Sequence, residues 1–223
     1  MTWSTVRLRA PAAELHGRTI EWSRRSATFC EVPAPALVLG STQPSGDVDS
    51  AAVAAAGIDV VRRRSGGGAV LVEPDGMVWA DVVVPAADPQ WEADVGKAFW
   101  WLGDVWASAL ASLGVASATV HRGGLVRSRW SPMVCFAGLG PGEVSAAGGG
   151  KIVGISQRRV RDGALFQCAV PLRGHAAAMA RLLNLDPVSR AELEADAGQF
   201  GAGLRGLTPS VVEQAFLSHL PTA

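Results

Sequence analysis

The sequence predicts an α+β domain in which a mixed or antiparallel sheet is flanked by helices. Short apolar runs alternate with glycine-rich turns, as in strands joined by tight connections. One long segment, residues 89–113, repeats apolar side chains at spacings of three and four, which indicates an amphipathic helix. Beyond Leu172 the pattern is helical, so we expect a short helical segment at the C-terminal end.

Charge and cysteine content limit the classes of function. Among the 223 residues, 20 Lys and Arg balance 20 Asp and Glu, which argues against a broad nucleic-acid surface. We expect no signal peptide, because the N-terminal residues lack a continuous apolar core, and no membrane span, because no run of about 18 apolar residues is present. The cysteines Cys30, Cys135 and Cys168 are not closely paired, which predicts reduced thiols in a cytoplasmic protein. Because no His/Cys cluster has the spacing of metal ligands, we expect no metal site in the protein itself.

The beginning of the chain predicts two helices separated by a strand. Residues 14–26 form the first candidate helix, and residues 36–40 form a short buried strand that ends at a glycine. An alanine-rich helix follows, with Asp47 or Asp49 as its N-cap and Gly57 as its C-terminal stop.

A basic, glycine-rich stretch, residues 62–68, separates two apolar runs at 58–61 and 69–72 that are typical of strands. Three consecutive glycines allow the backbone to approach another group closely, and the adjacent arginines supply positive charge. Together these features predict an anion-binding site. The alternative is an exposed, flexible turn between the two strands.

The remaining elements complete the predicted fold. Residues 73–76 form a turn that leads to a strand at 77–84. After the long helix we predict strands at 118–121, 133–137, 143–146, 151–159 and 164–172, then helices at 175–183, 189–200 and 208–220. The last three strands are expected to pair antiparallel. Ser189 and Thr208 are the expected N-caps of the last two helices.

Lys151 directly follows a second run of three glycines and is one of two lysines, the other being Lys97. A phosphate-binding loop is excluded, because that motif requires a glycine at Ser145 and a hydroxyl residue at Ile152. Considered alone, Lys151 is more typical of a solvated lysine at a turn than of an anion site.

The two glycine-rich stretches together resemble the lipoate–protein ligase A family, which is related to the biotin protein ligases and octanoyltransferases. Residues 62–70 match its RRxSGGGAV signature residue for residue, and residues 150–159 are similar to its GxKIxGxAQRR signature, with Ser156 in place of alanine. The resemblance covers residues 37–172 and implies a biotin/lipoyl ligase-like fold. We therefore predict a ligase-like catalytic domain at 1–175, and a helical segment at 176–223 packed on the same domain.

The resemblance also implies a reaction and a site. Lipoate or octanoate would react with ATP, accompanied by Mg²⁺, to give an acyl-adenylate, and the acyl group would pass to a carrier lysine. Lys151 would contact the acyl carboxyl group and the phosphate. The nucleotide and acyl group would be bound by Arg62, Arg63, Ser65, Gly66, Gly67, Gly68, Ala69 and Gly154. Strands around Val70, Val82 and Ile152 would line an apolar tunnel for the acyl chain.

The sequence departs from the family pattern at two places, and these departures leave alternatives open. Residues 72–73 and 76–77 lack the usual His-Asp and Gly-Asn, and residues 167–170 lack the usual Gln-His-Gly-Ser run. A non-catalytic acyl- or nucleotide-binding protein is therefore one alternative. Biotin ligation is less favoured, because the arginine signature differs from that of biotin ligases.

A second enzymatic alternative is suggested by Cys135, which lies 16 residues before Lys151. Some octanoyltransferases of this superfamily carry a nucleophilic cysteine in a similar Cys-Phe pair and use octanoyl-acyl carrier protein. A small buried hydrophobic residue is the competing interpretation of Cys135. Cys168 is a weaker candidate for the nucleophile, and Cys30 is expected to be structural. His121 is a weak candidate for assisting a transfer step and is expected to be a satisfied or surface histidine.

The expected partners follow from the resemblance. They are the lipoyl carrier domains of 2-oxoacid dehydrogenase or glycine cleavage complexes. Larger ligases have an accessory domain, whereas about 50 residues follow Leu172 here, which is short for a second domain. We therefore expect either that a separate accessory protein assists the reaction or that adenylation is intrinsically slow.

Overall fold

The computed structural model describes residues 2–200 and 203–222, which form ten strands and six α-helices. The strands are β1 (Ser4–Arg9), β2 (Ser26–Glu31), β3 (Ala36–Leu39), β4 (Asp59–Arg62), β5 (Val70–Val72), β6 (Met77–Pro85), β7 (Thr119–Val120), β8 (Val144–Ser145), β9 (Lys151–Val160) and β10 (Gly163–Pro171). The helices are α1 (Ala12–Gly17), α2 (Ser50–Ala55), α3 (Trp100–Ser112), α4 (Ala176–Leu182), α5 (Pro187–Asp196) and α6 (Pro209–Ser218).

Two sheets organise the molecule. Seven strands form the larger sheet in the order β1-β2-β6-β10-β9-β8-β7, in which β1 and β2 are parallel and the other pairs are antiparallel. The smaller sheet has the order β4-β3-β5, with β3 parallel to β4 and antiparallel to β5. The mixed sheets flanked by helices confirm the predicted α+β class.

The main core lies between the large sheet and the helices α3 and α6. All nine residues of β6 are buried. The Trp106 ring of α3 stacks on the Phe216 ring of α6 with their centroids 4.2 Å apart, and Phe29 of β2 meets the edge of Phe216. Burial of these large apolar side chains, at roughly 25 cal/mol per Å² removed from water, ties the last helix to the central strands.

The apolar periodicity correctly located several elements. The β8, β9 and β10 strands occupy the three predicted segments and pair antiparallel. Asp49 caps α2 by accepting a hydrogen bond from the Ala52 N–H at 2.9 Å, and Thr208 occupies the N-cap position of α6. These elements are marked by local chemistry, namely turn glycines and capping residues, that acts within a few residues.

Other predicted elements were wrong. Residues 14–26 are not one helix, because α1 ends at Gly17 and Ser26 already begins β2. The helix predicted at 89–113 begins only at Trp100, after a 3₁₀ turn at Lys97–Phe99, and Val95 is 56% exposed. Asp94 accepts hydrogen bonds from the backbone N–H groups of Gly96 and Lys97, which explains the late start.

Two further predictions need correction. Residues 133–137 are not a strand: Cys135–Ala137 form a 3₁₀ turn, and Val134 makes one isolated bridge to Ala69. Ser189 is not the cap of α5. The carboxylate of Asp186 accepts hydrogen bonds from the N–H groups of Val188 and Ser189. Because Pro187 occupies the first helical turn, the helix begins earlier in the chain and Asp186 is its N-cap.

The glycine-rich stretch is also not a hairpin turn. Its flanking strands β4 and β5 lie on opposite sides of β3 and do not pair with each other. The connection must therefore cross the end of β3, which brings it over the space between the two sheets. Within residues 2–200 and 203–222, none of the helices combines the length and the hydropathy of a membrane-spanning segment.

Candidate active site

A cavity of about 520 Å³ lies between the small sheet and the large sheet. Its apolar wall includes Val38, Val70, Val72, Met77 and Trp79 from β3, β5 and β6. The predicted site residues that line it are Arg63, Gly66, Gly67, Gly68, Cys135, Lys151 and Gly154. Most of the predicted site is therefore brought together around one cavity.

Some expected residues lie outside the cavity lining. Ser65 hydrogen-bonds the Ser156 hydroxyl at 3.0 Å, and Ala69 pairs through its backbone with Met133 and Cys135. Val82 and Ile152, expected to line an acyl tunnel, belong instead to the main core. The strands that carry these two residues were predicted correctly, but their side chains face the helices and not the cavity.

Arg62 and Arg63 hold the backbone around the glycine-rich stretch. Arg63 is 6% exposed and donates to the carbonyls of Val38, Gly66 and Gly68 at 3.2, 2.7 and 2.9 Å. Arg62 donates to the Gly40 carbonyl at 2.7 Å, and also to a backbone carbonyl and a side-chain hydroxyl within residues 43–45. The guanidinium groups therefore position the loop in the free protein.

The three glycines of this stretch meet different surroundings. A Cβ on Gly68 would lie 2.6 Å from the Val134 nitrogen, so the backbone of residues 133–134 packs directly on it. Gly67 has a positive φ of 96°, which favours glycine. Gly66 has nothing within 4 Å of its Cβ position and faces open space.

Lys151 begins β9 and is only 4% exposed. Its ammonium group donates to the Cys135 carbonyl at 2.6 Å and to the two Glu143 carboxylate oxygens at 3.1 and 3.0 Å. An ammonium group has three donor hydrogens, so protein acceptors can engage all of them. The solvated lysine that the sequence alone suggested is thus replaced by a buried, fully bonded one.

Glu143 is the functional candidate that the sequence did not reveal. Its carboxylate also accepts hydrogen bonds from the N–H groups of Gly140 at 2.6 Å and Ile155 at 3.1 Å. It therefore connects the segment after Cys135 to the strand that carries Lys151. The one available signal was an acidic residue just before the short strand β8, and such a residue is ordinarily solvated.

Charge around Lys151 determines its ionisation. Burial by itself would lower the pKa of Lys151, and the nearby Arg63 acts in the same direction. The Cys135 sulfur, the Glu143 charge and the Glu143 hydrogen bonds act against burial and raise the pKa above its ordinary value. The side chain is therefore an ammonium ion throughout the neutral pH range.

Cys135 is the partly exposed cysteine beside these cations. Its sulfur lies 4.0 Å from the Lys151 nitrogen and 4.0 Å from Arg63 Nη2. Cys30 and Cys168 are buried, and burial raises the pKa of both thiols. Because the thiolate is the nucleophilic form, those two cysteines are poor nucleophiles, although Cys168 also borders the cavity.

A second cluster of polar side chains on the cavity wall includes His16 and Gln167. Gln167 donates to the fully buried Asp81 at 3.2 Å, and Asp81 pairs with Arg18 at 2.6 Å. Burial raises the pKa of Asp81 even though Arg18 opposes it. Burial, together with Arg63 and Arg18, lowers the pKa of His16 to about 4, so His16 is neutral near pH 7.

His121, a weaker candidate, does not line the cavity. Its imidazole interacts with the Gly124 carbonyl at 2.7 Å in the segment that follows β7. Within residues 2–200 and 203–222, no group of three or more His, Cys, Asp or Glu side chains is arranged to hold a metal ion. Glu143 is the acidic residue of the cavity lining, and its oxygens already accept four hydrogen bonds.

The fold and the cavity agree with the class of protein that the two sequence motifs resemble, the lipoate–protein ligases. A family model, the lipoyl protein ligase A/B catalytic domain, matches residues 16–198. The chain belongs to this family. No match is found among curated proteins.

Solved structures agree with this assignment at the level of the fold. A bipartite lipoate protein ligase from Thermoplasma acidophilum, studied with its E2 lipoyl domain, superposes with a TM-score of 0.78 at 17% identity, over 98% of this chain and 82% of that one. A lipoate-protein ligase A bound with ATP gives a TM-score of 0.70 at 17% identity, covering 98% and 84%. A T. acidophilum protein with bound lipoic acid gives 0.70 at 15% identity, with the same coverage.

Proposed function

We propose that this protein attaches a lipoyl or octanoyl group to a lysine side chain of a lipoyl carrier domain. The observation that carries the proposal is the buried Lys151 ammonium group on the wall of a largely apolar cavity. An apolar wall suits a medium-length acyl chain. A fixed positive charge stabilises the negative charge that develops on oxygen during acyl transfer.

The first candidate route is ligation with ATP through an acyl-adenylate. ATP would supply the energy that converts a carboxylate into an acylating agent. Lys151, Arg63 and Arg127 are cations of the cavity lining, and the first two would face the acyl carboxyl and phosphate oxygens. The open Gly66 leaves space for a ligand to approach the loop backbone. The ATP-bound ligase A relative supports this route.

The described residues do not offer a ready protein site for Mg²⁺. Each oxygen of Glu143 already accepts two hydrogen bonds, from Lys151 and from a backbone N–H. Mg²⁺ commonly binds through phosphate oxygens and water with few protein ligands. In this route we expect the ion to arrive with ATP and to be held mainly by the phosphates.

The second candidate is a transferase that uses Cys135 and an acyl thioester such as octanoyl-acyl carrier protein. A specific observation favours it: the donor hydrogens of Lys151 are already engaged, while the Cys135 sulfur lies beside two cations. The sulfur would attack the thioester carbonyl and release the donor thiol. The carrier lysine would then attack the new thioester and regenerate Cys135.

Partners follow from the same proposal. The T. acidophilum ligase is described together with an E2 lipoyl domain and as bipartite. By analogy we propose a lipoyl carrier domain of a 2-oxoacid dehydrogenase or glycine cleavage complex as the acceptor. A separate accessory protein that assists ATP-dependent activation is a further proposed partner, and the cytoplasm is the proposed location.

The test is intact-mass analysis of an apo lipoyl carrier domain incubated with this protein. One arm contains lipoate or octanoate with ATP and Mg²⁺, a second omits ATP, and a third supplies an octanoyl thioester instead. Cys135→Ser should keep the ATP-dependent mass gain but abolish the thioester-dependent one, with Cys168→Ser as the matched control. No acylation in any arm, with and without candidate accessory proteins, would favour a binding-only protein and overturn the proposal.

A further inference from the structure

An activated acyl group beside a lysine presents a chemical problem. Both proposed routes generate an acylating agent, either an adenylate or a thioester, at the cavity wall that holds Lys151. A neutral amine there would attack the acyl carbon and form a stable amide. An ammonium ion has no lone pair and cannot react in this way. The enzyme therefore needs a means of keeping this lysine protonated.

Glu143 is placed to keep Lys151 protonated. Its two oxygens lie 3.1 and 3.0 Å from the Lys151 nitrogen, and Glu143 is itself 6% exposed. Two backbone N–H groups, from Gly140 and Ile155, fix the carboxylate in this position. Such an anchored carboxylate remains a hydrogen-bond acceptor and counter-ion for Lys151 when ligands enter the cavity.

The other groups that face Lys151 do not replace Glu143. Arg63 is cationic and disfavours a second positive charge. The Phe136 ring lies 5.0 Å from the ammonium nitrogen and offers a weak cation–π contact. The Cys135 carbonyl accepts one hydrogen bond but carries no charge. Glu143 is the carboxylate that is ion-paired with Lys151.

We infer that Glu143 keeps Lys151 as an ammonium ion, so that the protein does not acylate its own lysine during turnover. Glu143 is a positioning residue, because it acts through Lys151. Without it, the Lys151 nitrogen would form a bond to the acyl carbon, the bond from that carbon to sulfur or phosphate oxygen would break, and the nitrogen proton would pass to solvent. The acylation half of the inference rests on the proposed function; the protonation half does not.

The protonation half is tested by chemical labelling without any enzymatic reaction. The reagent is N-acetoxysuccinimide, and mass spectrometry compares acetylation of buried Lys151 with that of exposed Lys97 in the same molecule. At a fixed pH, Glu143→Gln should raise the Lys151:Lys97 labelling ratio roughly tenfold for each unit by which the lysine pKa falls. Glu213→Gln, which changes another buried, ion-paired glutamate, should leave the ratio unchanged. An unchanged ratio in Glu143→Gln would overturn the inference.

The wild-type protein alone provides a second measurement, in case Glu143→Gln does not fold. Labelling is followed between about pH 8 and about pH 11, a range that brackets the ordinary lysine pKa. The inflection for Lys151 should lie above the ordinary lysine value. An inflection below that value would show that Glu143 does not hold the proton, whatever the protein's activity.

The acylation half is tested with the activated acyl donor that supports carrier acylation. Glu143→Gln should accumulate an acyl group on Lys151 that survives hydroxylamine, which cleaves thioesters but not amides, and its turnover should slow with time. Wild-type protein should carry no such adduct. Absence of the adduct in an active Glu143→Gln variant would overturn the protective role. If no donor supports carrier acylation, the proposed function fails while the labelling result still stands.

Discussion

Two runs of three glycines flank the candidate active site, and the structure uses them in opposite ways. In the first, 66–68, Gly68 packs against the backbone of residues 133–134, and Arg63 donates hydrogen bonds to the carbonyls of Gly66 and Gly68. The second, 148–150, forms the turn before β9. Gly148 and Gly149 there both have a φ of 94° and nothing within 4 Å of their Cβ positions.

The comparison shows that glycine is needed in the two runs for two different reasons. At Gly68 the requirement is space, because a side chain would collide with another part of the chain. At Gly148 and Gly149 the requirement is conformation, because a residue with a side chain rarely adopts positive φ. Substitutions at the two runs should therefore differ in size and in character.

The largest effect is expected when Arg63 is replaced by Met, which keeps apolar bulk but removes the guanidinium. Three backbone carbonyls, of Val38, Gly66 and Gly68, would lose their donor in a buried environment. We expect a loss of roughly 3 kcal/mol in the free energy of unfolding. Urea unfolding checks this. A loss no greater than that of the exposed Arg161→Met would show that Arg63 does not hold the loop.

Gly68→Ala should have the second-largest effect. The new methyl group would lie 2.6 to 2.8 Å from backbone atoms of Met133 and Val134, which must move together with the neighbouring Cys135. We expect a destabilisation of about 2 kcal/mol and a loss of acyl transfer larger than the loss of stability. Thermal unfolding and the carrier acylation assay measure the two effects. Wild-type behaviour in both would remove the packing role assigned to Gly68.

Gly149→Ala should cost less, about 1 kcal/mol, because it pays only for the left-handed backbone conformation. Open space around the methyl group means that no neighbour needs to move. Acyl transfer should remain near the wild-type level, apart from the lower stability. A destabilisation greater than that of Gly68→Ala would reverse the comparison between the two runs.

Gly66→Ala is expected to have the smallest effect on stability, within about 0.5 kcal/mol, because its φ is not positive and its Cβ position is open. Since Gly66 borders the cavity, the methyl group should instead weaken binding of a ligand that approaches the loop. Calorimetric titration with ATP and with octanoate measures this. Destabilisation as large as that of Gly68→Ala would mean that Gly66 is also needed for packing.

Sequence reasoning succeeded where a signal is local. The β9–β10 pair was predicted from two runs of strand-forming residues separated by a turn, and the register Gly163↔Val160 places that turn as expected. The same reasoning failed for β2, which was not recognised as a strand although four of its six residues are buried. It also failed at residues 133–137, where an apolar run packs as a turn because its backbone bonds to Ala69.

In the candidate site, too, the sequence revealed residue types but not the contacts between distant residues. Lys151 and Cys135 were identified as candidates by the sequence, but their separation of 16 residues gave no distance between the side chains. Glu143 was not identified at all, because a glutamate near a turn is ordinarily solvated. Its carboxylate is held inward by hydrogen bonds from the Gly140 N–H and from Lys151 and the Ile155 N–H of β9, which are contacts that no local pattern reveals.

The sequence by itself determined the α+β class, the family resemblance, the antiparallel pairing of β8, β9 and β10, and the residue types available for the chemistry of the site. The tertiary structure alone decided that Arg63 and Cys135, 72 residues apart, meet beside Lys151, and that Glu143 pairs with that lysine. It also decided that the backbone of residues 133–134 packs directly on Gly68, where a side chain would not fit. The physical reason is that local patterns fix which face of an element is buried, whereas the contacts that set charge, reactivity and close packing arise between segments distant in sequence.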